Sequence, residues 1–193
     1  MKKLFCAVML LFMGIVGSVS FAKENKVLYV GTNAEFQPFE YLEDGKIVGF
    51  DVELMEEIAK LLGKEIEWKN IAFDGLLPAL QAKKLDVIIA GMTATEERKK
   101  FVNFSETYYT SNQMILINKE NPVVESFDKL AGHNVGVILG YTGDIAVSAI
   151  DGVKVQRYNG AAEAIMALKA KKVDAVVLDS EPAKNYAKQN KEL

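Results

Sequence analysis

ALQAKKLDVIIA, residues 79–90, and ALKAKKVDAVVL, residues 167–178, nearly repeat each other. Each reads as the end of an amphipathic helix, a Lys-Lys step, an Asp and a short apolar strand. The flanks extend the likeness: FDG (73–75) precedes the first copy and YNG (158–160) the second, with about one extra helical turn before the second. One helix-to-strand joint built twice implies two lobes of the same plan. Ligands of open parallel sheets bind beyond the carboxyl ends of the strands. The residues just past each copy therefore face one crevice, Gly91, Met92 and Thr93 from the first lobe and Asp179 from the second.

Outward from these joints the chain alternates short apolar runs with helical periodicity. KVLYVGT (26–32) is a strand, YLEDGKIVGF (41–50) a hairpin around Asp-Gly, and DVELMEEIAKLLG (51–63) a helix with Asp51 as N-cap and Gly63 as its stop. EIEWKNI (65–71) is a strand, GLLPALQAKK (75–84) a helix with Pro78 in its first turn, and DVIIAG (86–91) a strand. Strands follow at FVNFS (101–105) and SNQMILINK (111–119). After Asn121-Pro122 the alternation restarts: HNVGVILG, a helix near Thr142, VKVQRY, a helix from Ala161, VDAVVLD, and a helix opening at Glu181-Pro182. This is an α/β chain of parallel, doubly wound sheets. The expected division is 23–115 for lobe one and 116–193 for lobe two, with an extended segment at 114–121 crossing between them as a hinge.

The chain of 193 residues, half of them hydrophobic, carries a formal charge of −3 and four prolines, which is the composition of an ordinary globular protein. A mildly acidic balance without clustered Lys and Arg excludes nucleic acid as the partner. MKKLFCAVMLLFMGIVGSVSFA (1–22) has two lysines, an apolar run, and Ser20 and Ala22 at cleavage positions, the pattern of a secretory signal peptide. The competing reading is an uncleaved anchor, weakened by Gly14, Gly17, Ser18 and Ser20. Cleavage after Ala22 removes Cys6, the only cysteine, so the exported chain relies on its core or on ligand instead of disulfides.

The crevice offers a particular chemistry. Arg98 follows Thr93, Thr95, Glu96 and Glu97 in a segment that starts a helix, and an Arg beside free backbone amides suits a carboxylate. The alternative places Arg98 on an exposed face beside Glu97. Asp179 either caps the next helix or accepts an ammonium group. A carboxylate clamp on one lobe and an ammonium clamp on the other describe a site for an α-amino acid. Phe36 and Phe73 each follow a strand and either pack in the core or stack on a ligand. Thr142, in GYTGD, starts a helix between Gly140 and Gly143. His133 is the only histidine, and the chain shows no serine elbow, P-loop or GxGxxG motif, so no metal or cofactor is expected. The acids Asp51, Glu53, Glu56 and Glu57 suit the dipole of their helix better than acid–base work.

GFDVELMEEIAKLL (49–62) resembles the signature of the family 3 extracellular solute-binding proteins, receptors of polar amino-acid ABC transporters. NAEFQPFEY, AFDGLLPALQAKKLDVIIAGMTATEERKK, GYTGD and VDAVVLD extend the resemblance over the mature chain. It implies a two-lobed periplasmic-binding-protein-like fold of type II. It also implies that Arg98 holds the ligand carboxylate, helped by Thr93, Thr142 and Gly143. Asp179 would hold the amino group with the backbone of Ala90 or Gly91. Phe36 and Phe73 would sandwich the side chain, with Asn33 beside it. The implied partners are an amino acid and a membrane permease, with a monomeric protein working in the periplasm and performing no chemistry. Two departures stand out. Asn33 replaces the acid frequent in receptors for basic ligands, leaving glutamine-like and basic ligands open; and the chain stops at KQNKEL, where the family returns through a second hinge strand, so the second lobe and return hinge are expected to be truncated. The alternatives are an enzyme resembling the cyclohexadienyl dehydratases and the sensor domain of a membrane receptor.

Overall fold

A computed structural model describes residues 26–193, so the signal-peptide expectation lies outside the described residues. In chain order the first half comprises β1 (Val27–Thr32), β2 (Glu35–Phe36), β3 (Glu40–Glu43), β4 (Lys46–Val48), α1 (Phe50–Leu62), β5 (Glu65–Asn70), α2 (Phe73–Gln81), β6 (Val87–Ile88) and α3 (Glu96–Lys99). The second comprises β7 (Gln113–Leu116), β8 (Asn134–Ile138), α4 (Thr142–Ser148), β9 (Lys154–Tyr158), α5 (Ala161–Lys169), β10 (Ala175–Asp179) and α6 (Ser180–Gln189). Among the described residues no helix is long and apolar enough to cross a membrane.

Each lobe is built on its own sheet. The first is parallel, in the order β5-β1-β6, and the second has the order β7-β10-β8-β9, parallel except for β7, which runs antiparallel to β10. A separate antiparallel meander, β2-β3-β4, leaves the carboxyl end of β1. Its tight turn puts Asp44 at φ 50° and Gly45 at φ 76°, the consecutive left-handed residues that a two-residue hairpin with matching twist requires.

The two joints are the same structure. Lys83 and Lys171, each at φ 57°, follow the last residues of α2 and α5 in the left-handed conformation. In the first copy the Lys83 amide donates to Leu80 O and the Lys84 amide to Ala79 O, both at 2.9 Å. In the second, Lys171 donates to Leu168 O at 3.0 Å and Lys172 to Ala167 O at 2.9 Å. These paired bonds satisfy the carbonyls that a helix end leaves free. The Asp that follows then stitches the new strand to its neighbour: Asp86 Oδ2 accepts from the Tyr29 amide at 2.9 Å, and Asp174 Oδ2 from the Asn134 amide at 2.8 Å.

Four sequence expectations change. The N-terminus of α1 is capped by Gly49, at φ 126°, while Asp51 lies inside the first turn, fully buried. Helix α2 begins at Phe73, which places Pro78 beyond the first turn, where it withholds a donor from the Asp74 carbonyl. FVNFS forms no strand; Lys99, Lys100, Phe101 and Val102 instead close the end of α3 with bonds to Thr95, Glu97 and Arg98 carbonyls. Strand β7 already belongs to the second sheet, so the chain crosses between sheets upstream of Gln113, ahead of the expected segment at 114–121.

Apolar residues fill three clusters. Val30, Met55 and Ile89 pack between α1 and the first sheet; Val135, Val137, Val147 and Val177 pack on one face of the second. The third runs unbroken between the lobes, joining Phe36, Phe73 and Leu76 to Ile138, Tyr141, Ile165 and Leu168. The lobes therefore meet over a shared apolar floor that is largely aromatic where Phe36, Phe73 and Tyr141 come together.

Candidate functional site

The segment after β6 places Gly91 at the lobe junction, and the carboxyl end of β10 places its last residue, Asp179, there. Gly91 has φ 54°, and a Cβ there would stand 2.7 Å from Phe36 Cε1, so only glycine lets the strand end approach the ring. The Gly91 amide donates to Asp51 Oδ2 at 3.1 Å, and the Tyr108 hydroxyl donates to the same oxygen at 2.9 Å. Asp51, the misassigned cap, thus anchors the crevice wall from inside α1. Glu40 lies beside it, and neither Glu40 carboxyl oxygen nor Asp51 Oδ1 meets a donor among the described residues other than a proton on one of the pair. Burial, reinforced by the Asp51 charge, pushes the Glu40 carboxyl well above the ordinary carboxylate range. Asp51 is also raised by burial, against the opposing bonds from Tyr108 and Gly91. The proton therefore belongs on Glu40 and the charge on Asp51.

Arg98 is 8% exposed and held by two carbonyls, donating from Nη1 to Thr93 O and from Nη2 to Gly140 O, both at 2.8 Å. Its backbone amide donates to Thr95 Oγ1, the N-cap of α3, and its guanidinium lies 5.3 Å from the centre of the Phe73 ring. Burial weakens the guanidinium's hold on its proton and Asp179 partly restores it. Across the junction Asp179 is raised by burial and accepts from Gln113 Nε2 at 2.9 Å; the same Gln113 group donates to Thr142 Oγ1 at 3.1 Å. Gly143 is bare for a reason, because a Cβ would come within 2.8 Å of Gln113 Oε1.

The structure brings Phe36, Phe73, Ala90, Gly91, Thr93, Arg98, Thr142 and Asp179 around one small void of about 10 Å³. A larger cavity of about 390 Å³ adjoins it and shares Phe36, Gly91, Thr93, Thr142 and Asp179 as walls. Asn33 sits behind the rings, with its Nδ2 donating to Ile71 O at 3.2 Å. Gly143 packs behind Thr142, against the Gln113 side chain. Two residues of the site were not singled out from sequence. Gln113 donates to Asp179, and its signal was a polar residue at the start of an otherwise apolar strand. Tyr141 stands between Phe36 and Phe73; its signal was an aromatic inside the GYTGD turn. His133, the single histidine, is half-buried with Nδ1 3.5 Å from Asp174 Oδ2.

Two sheets of one design, facing across a junction with a buried cation on one side and a carboxylate on the other, define a two-lobed binding protein. The sequence pattern of the bacterial extracellular solute-binding proteins, family 3, matches residues 28–133, and the chain belongs to that family. A probable histidine-binding protein of Campylobacter jejuni is 38% identical over 204 residues, covering 100% of this chain and 80% of its own. The arginine-bound form of a truncated ArgBP from T. maritima superposes with a TM-score of 0.84 at 46% identity, covering 86% of this chain and 80% of that one. An ancestral amino acid-binding protein described as a precursor of cyclohexadienyl dehydratase gives a TM-score of 0.80 at 38% identity, over 85% and 74% of the two chains. The two-lobed type II fold is common to this chain and these structures.

Proposed function

We propose that this chain is the periplasmic substrate-binding component of an amino-acid ABC transporter, taking a polar or basic L-amino acid between its lobes and presenting the closed form to a membrane permease. The observation that carries the reading is Arg98: a buried guanidinium whose two side-chain hydrogen bonds go to carbonyls, neither of them to a carboxylate, across the junction from Asp179. A buried cation without a bonded anion is costly. A ligand carboxylate would supply the anion and a ligand ammonium would replace Gln113 at Asp179. Thr93, Thr142, Ala90 and Gly91 line the path between them, with Gly143 behind Thr142, and Asn33, Phe36 and Phe73 meet the side chain. Contact with both lobes makes closure favourable only with ligand bound. The histidine- and arginine-binding relatives support this class of ligand.

Thermal unfolding of the chain with each of the twenty amino acids is the direct test. A ligand at a hundred times its Kd adds about 2.7 kcal/mol of stability. A rise for one or a few polar or basic amino acids, abolished in Arg98→Met, is the expected result; no rise for any of them defeats the reading. The ancestral precursor of a dehydratase favours a second reading, an enzyme of the same fold. Its acid would be Glu35 or Asp179. Both are engaged, Glu35 Oε2 accepting the Ala162 amide at 3.2 Å and Asp179 holding Gln113, so binding without chemistry is the better reading. Turnover of prephenate or arogenate would reverse that choice.

A further inference from the structure

The slot between Phe36 and Phe73 is already full. Tyr141, only 6% exposed, places its ring edge-on to Phe73 at 4.4 Å between centroids and to Phe36 at 5.8 Å. Its hydroxyl donates to Asn33 Oδ1 at 2.9 Å. The Asn33 amide is fixed by its bond to Ile71 O, so Oδ1 presents itself as an acceptor into the slot. What remains of the void, about 10 Å³, is no more than a single water needs.

The ring and hydroxyl of Tyr141 have the chemistry of a ligand side chain. A flat group sits edge-to-face between two aromatic rings and ends in a hydrogen-bond donor aimed at Asn33. A guanidinium, an imidazole or a carboxamide offers the same combination. Tyr141 comes from the opposite lobe, at the N-cap of α4, directly after Gly140, whose φ of 81° forms the turn that aims the ring into the slot. An amino acid that puts its carboxylate on Arg98 and its side chain between the phenylalanines must move this ring. The adjoining cavity of about 390 Å³, which shares the Phe36 wall, gives the ring or the ligand somewhere to go.

We propose that Tyr141 is a specificity-determining residue, an intramolecular occupant that competes with the ligand side chain for the Phe36–Phe73–Asn33 slot. Resting on the amino-acid reading above, it selects side chains that carry a donor in a flat group, because only these replace the bond that Asn33 gives up. Acceptor-only side chains such as glutamate leave the Asn33 oxygen unpaired and lose the contest.

Two measurements on the full chain test this. The first is calorimetric titration of the wild type, Tyr141→Ser and Tyr141→Phe with L-arginine, L-histidine, L-glutamine and L-glutamate. Removing the occupant in Tyr141→Ser should tighten binding of at least one donor-bearing ligand tenfold or more, and narrow the gap to glutamate, while Tyr141→Phe, which keeps the ring, stays closer to wild type. Equal affinities in wild type and Tyr141→Ser, or weaker binding in the variant, overturn the competition while leaving the amino-acid reading intact. Binding to none of the three chains overturns that reading and the competition with it. The second measurement needs no ligand at the start: nitration by tetranitromethane, located by mass spectrometry, with Tyr109, 45% exposed, as internal standard. Tyr141 should resist modification in the ligand-free chain and become reactive when a bound amino acid displaces it. Nitration of Tyr141 at the rate of Tyr109 without ligand shows an empty slot and overturns the proposal, whatever the titrations give.

Discussion

The two helix-to-strand joints share their backbone bonds down to a left-handed lysine and a strand-stitching Asp, and they part company one residue past the repeated sequence. In the first lobe that residue is Gly91, which contributes only backbone: its amide goes to Asp51 and its missing side chain admits the Phe36 ring. In the second it is Asp179, which contributes only side chain: its carboxylate goes to Gln113. A duplicated scaffold has thus been divided into a steric half and an electrostatic half. The scaffold supplies equivalent positions, and the residue placed there decides what each position does.

The sharpest way to break this comparison is to make the two positions alike. Gly91→Ala adds a Cβ at positive φ against Phe36, where left-handed backbone alone costs roughly 1–2 kcal/mol. With the clash included, denaturant unfolding should show a loss of about 2 kcal/mol or more, near 4–8 °C in Tm for a chain of this size. Asp179→Asn retains an acceptor for Gln113 and should fall within about 0.5 kcal/mol of wild type in unfolding, while losing the stabilisation that an amino acid gives. Equal unfolding losses at the two sites would show that the halves are not specialised.

A second, pH-dependent difference follows from what stands behind Gly91 and has no counterpart behind Asp179. Glu40 keeps its proton in the fold because of burial and the Asp51 charge, whereas the unfolded chain releases it in the ordinary carboxylate range. Over the interval above that range the folded state binds more protons than the unfolded one, so Glu40's contribution is complete at lower pH and is lost as pH rises toward its folded value. Glu40→Gln should flatten the decline in Tm as pH rises above the ordinary carboxylate range, and raise Tm most at the upper end of the range measured. A decline of unchanged slope in the variant would place the proton elsewhere.

Local punctuation made most of the fold legible. Asp44-Gly45 announced the hairpin, Gly63 the end of α1, and the repeated Lys-Lys-x-Asp the two joints. The crevice residues were legible for the same reason, since a parallel strand fixes which residue emerges at its carboxyl end. Legibility failed where tertiary contacts outweighed local pattern. Asp51 looks like a cap, but Gly49 at φ 126° already ends the preceding turn, which frees the Asp51 side chain to turn inward to Gly91, 40 residues away. FVNFS alternates like a strand, yet its first two amides, those of Phe101 and Val102, are taken by the Arg98 carbonyl at the end of α3. Gln113 and Tyr141 owe their roles to partners 66 and 108 residues distant, Asp179 and Asn33, and no window of sequence brings those pairs together.

The smallest expected effect tests whether the joints are equivalent in energy as well as geometry. Lys83 and Lys171 hold the same φ of 57°, a conformation in which a side chain crowds the following carbonyl and which glycine adopts freely. The bonds that close the helices run from backbone amides, and the Lys171 side chain adds only an exposed pairing with Glu120 at 3.4 Å. Replacing either with glycine relieves the crowding but raises the entropy of the unfolded chain, so the two terms nearly offset. Lys83→Gly and Lys171→Gly should each change stability by no more than about 1 kcal/mol, in the stabilising direction and by the same amount within about 0.3 kcal/mol. The double variant should give their sum, because the joints lie in different sheets and share no partner. A response confined to one lysine would mean that the shared geometry conceals different strain, and that the two lobes diverged within the repeat as well as one residue past it.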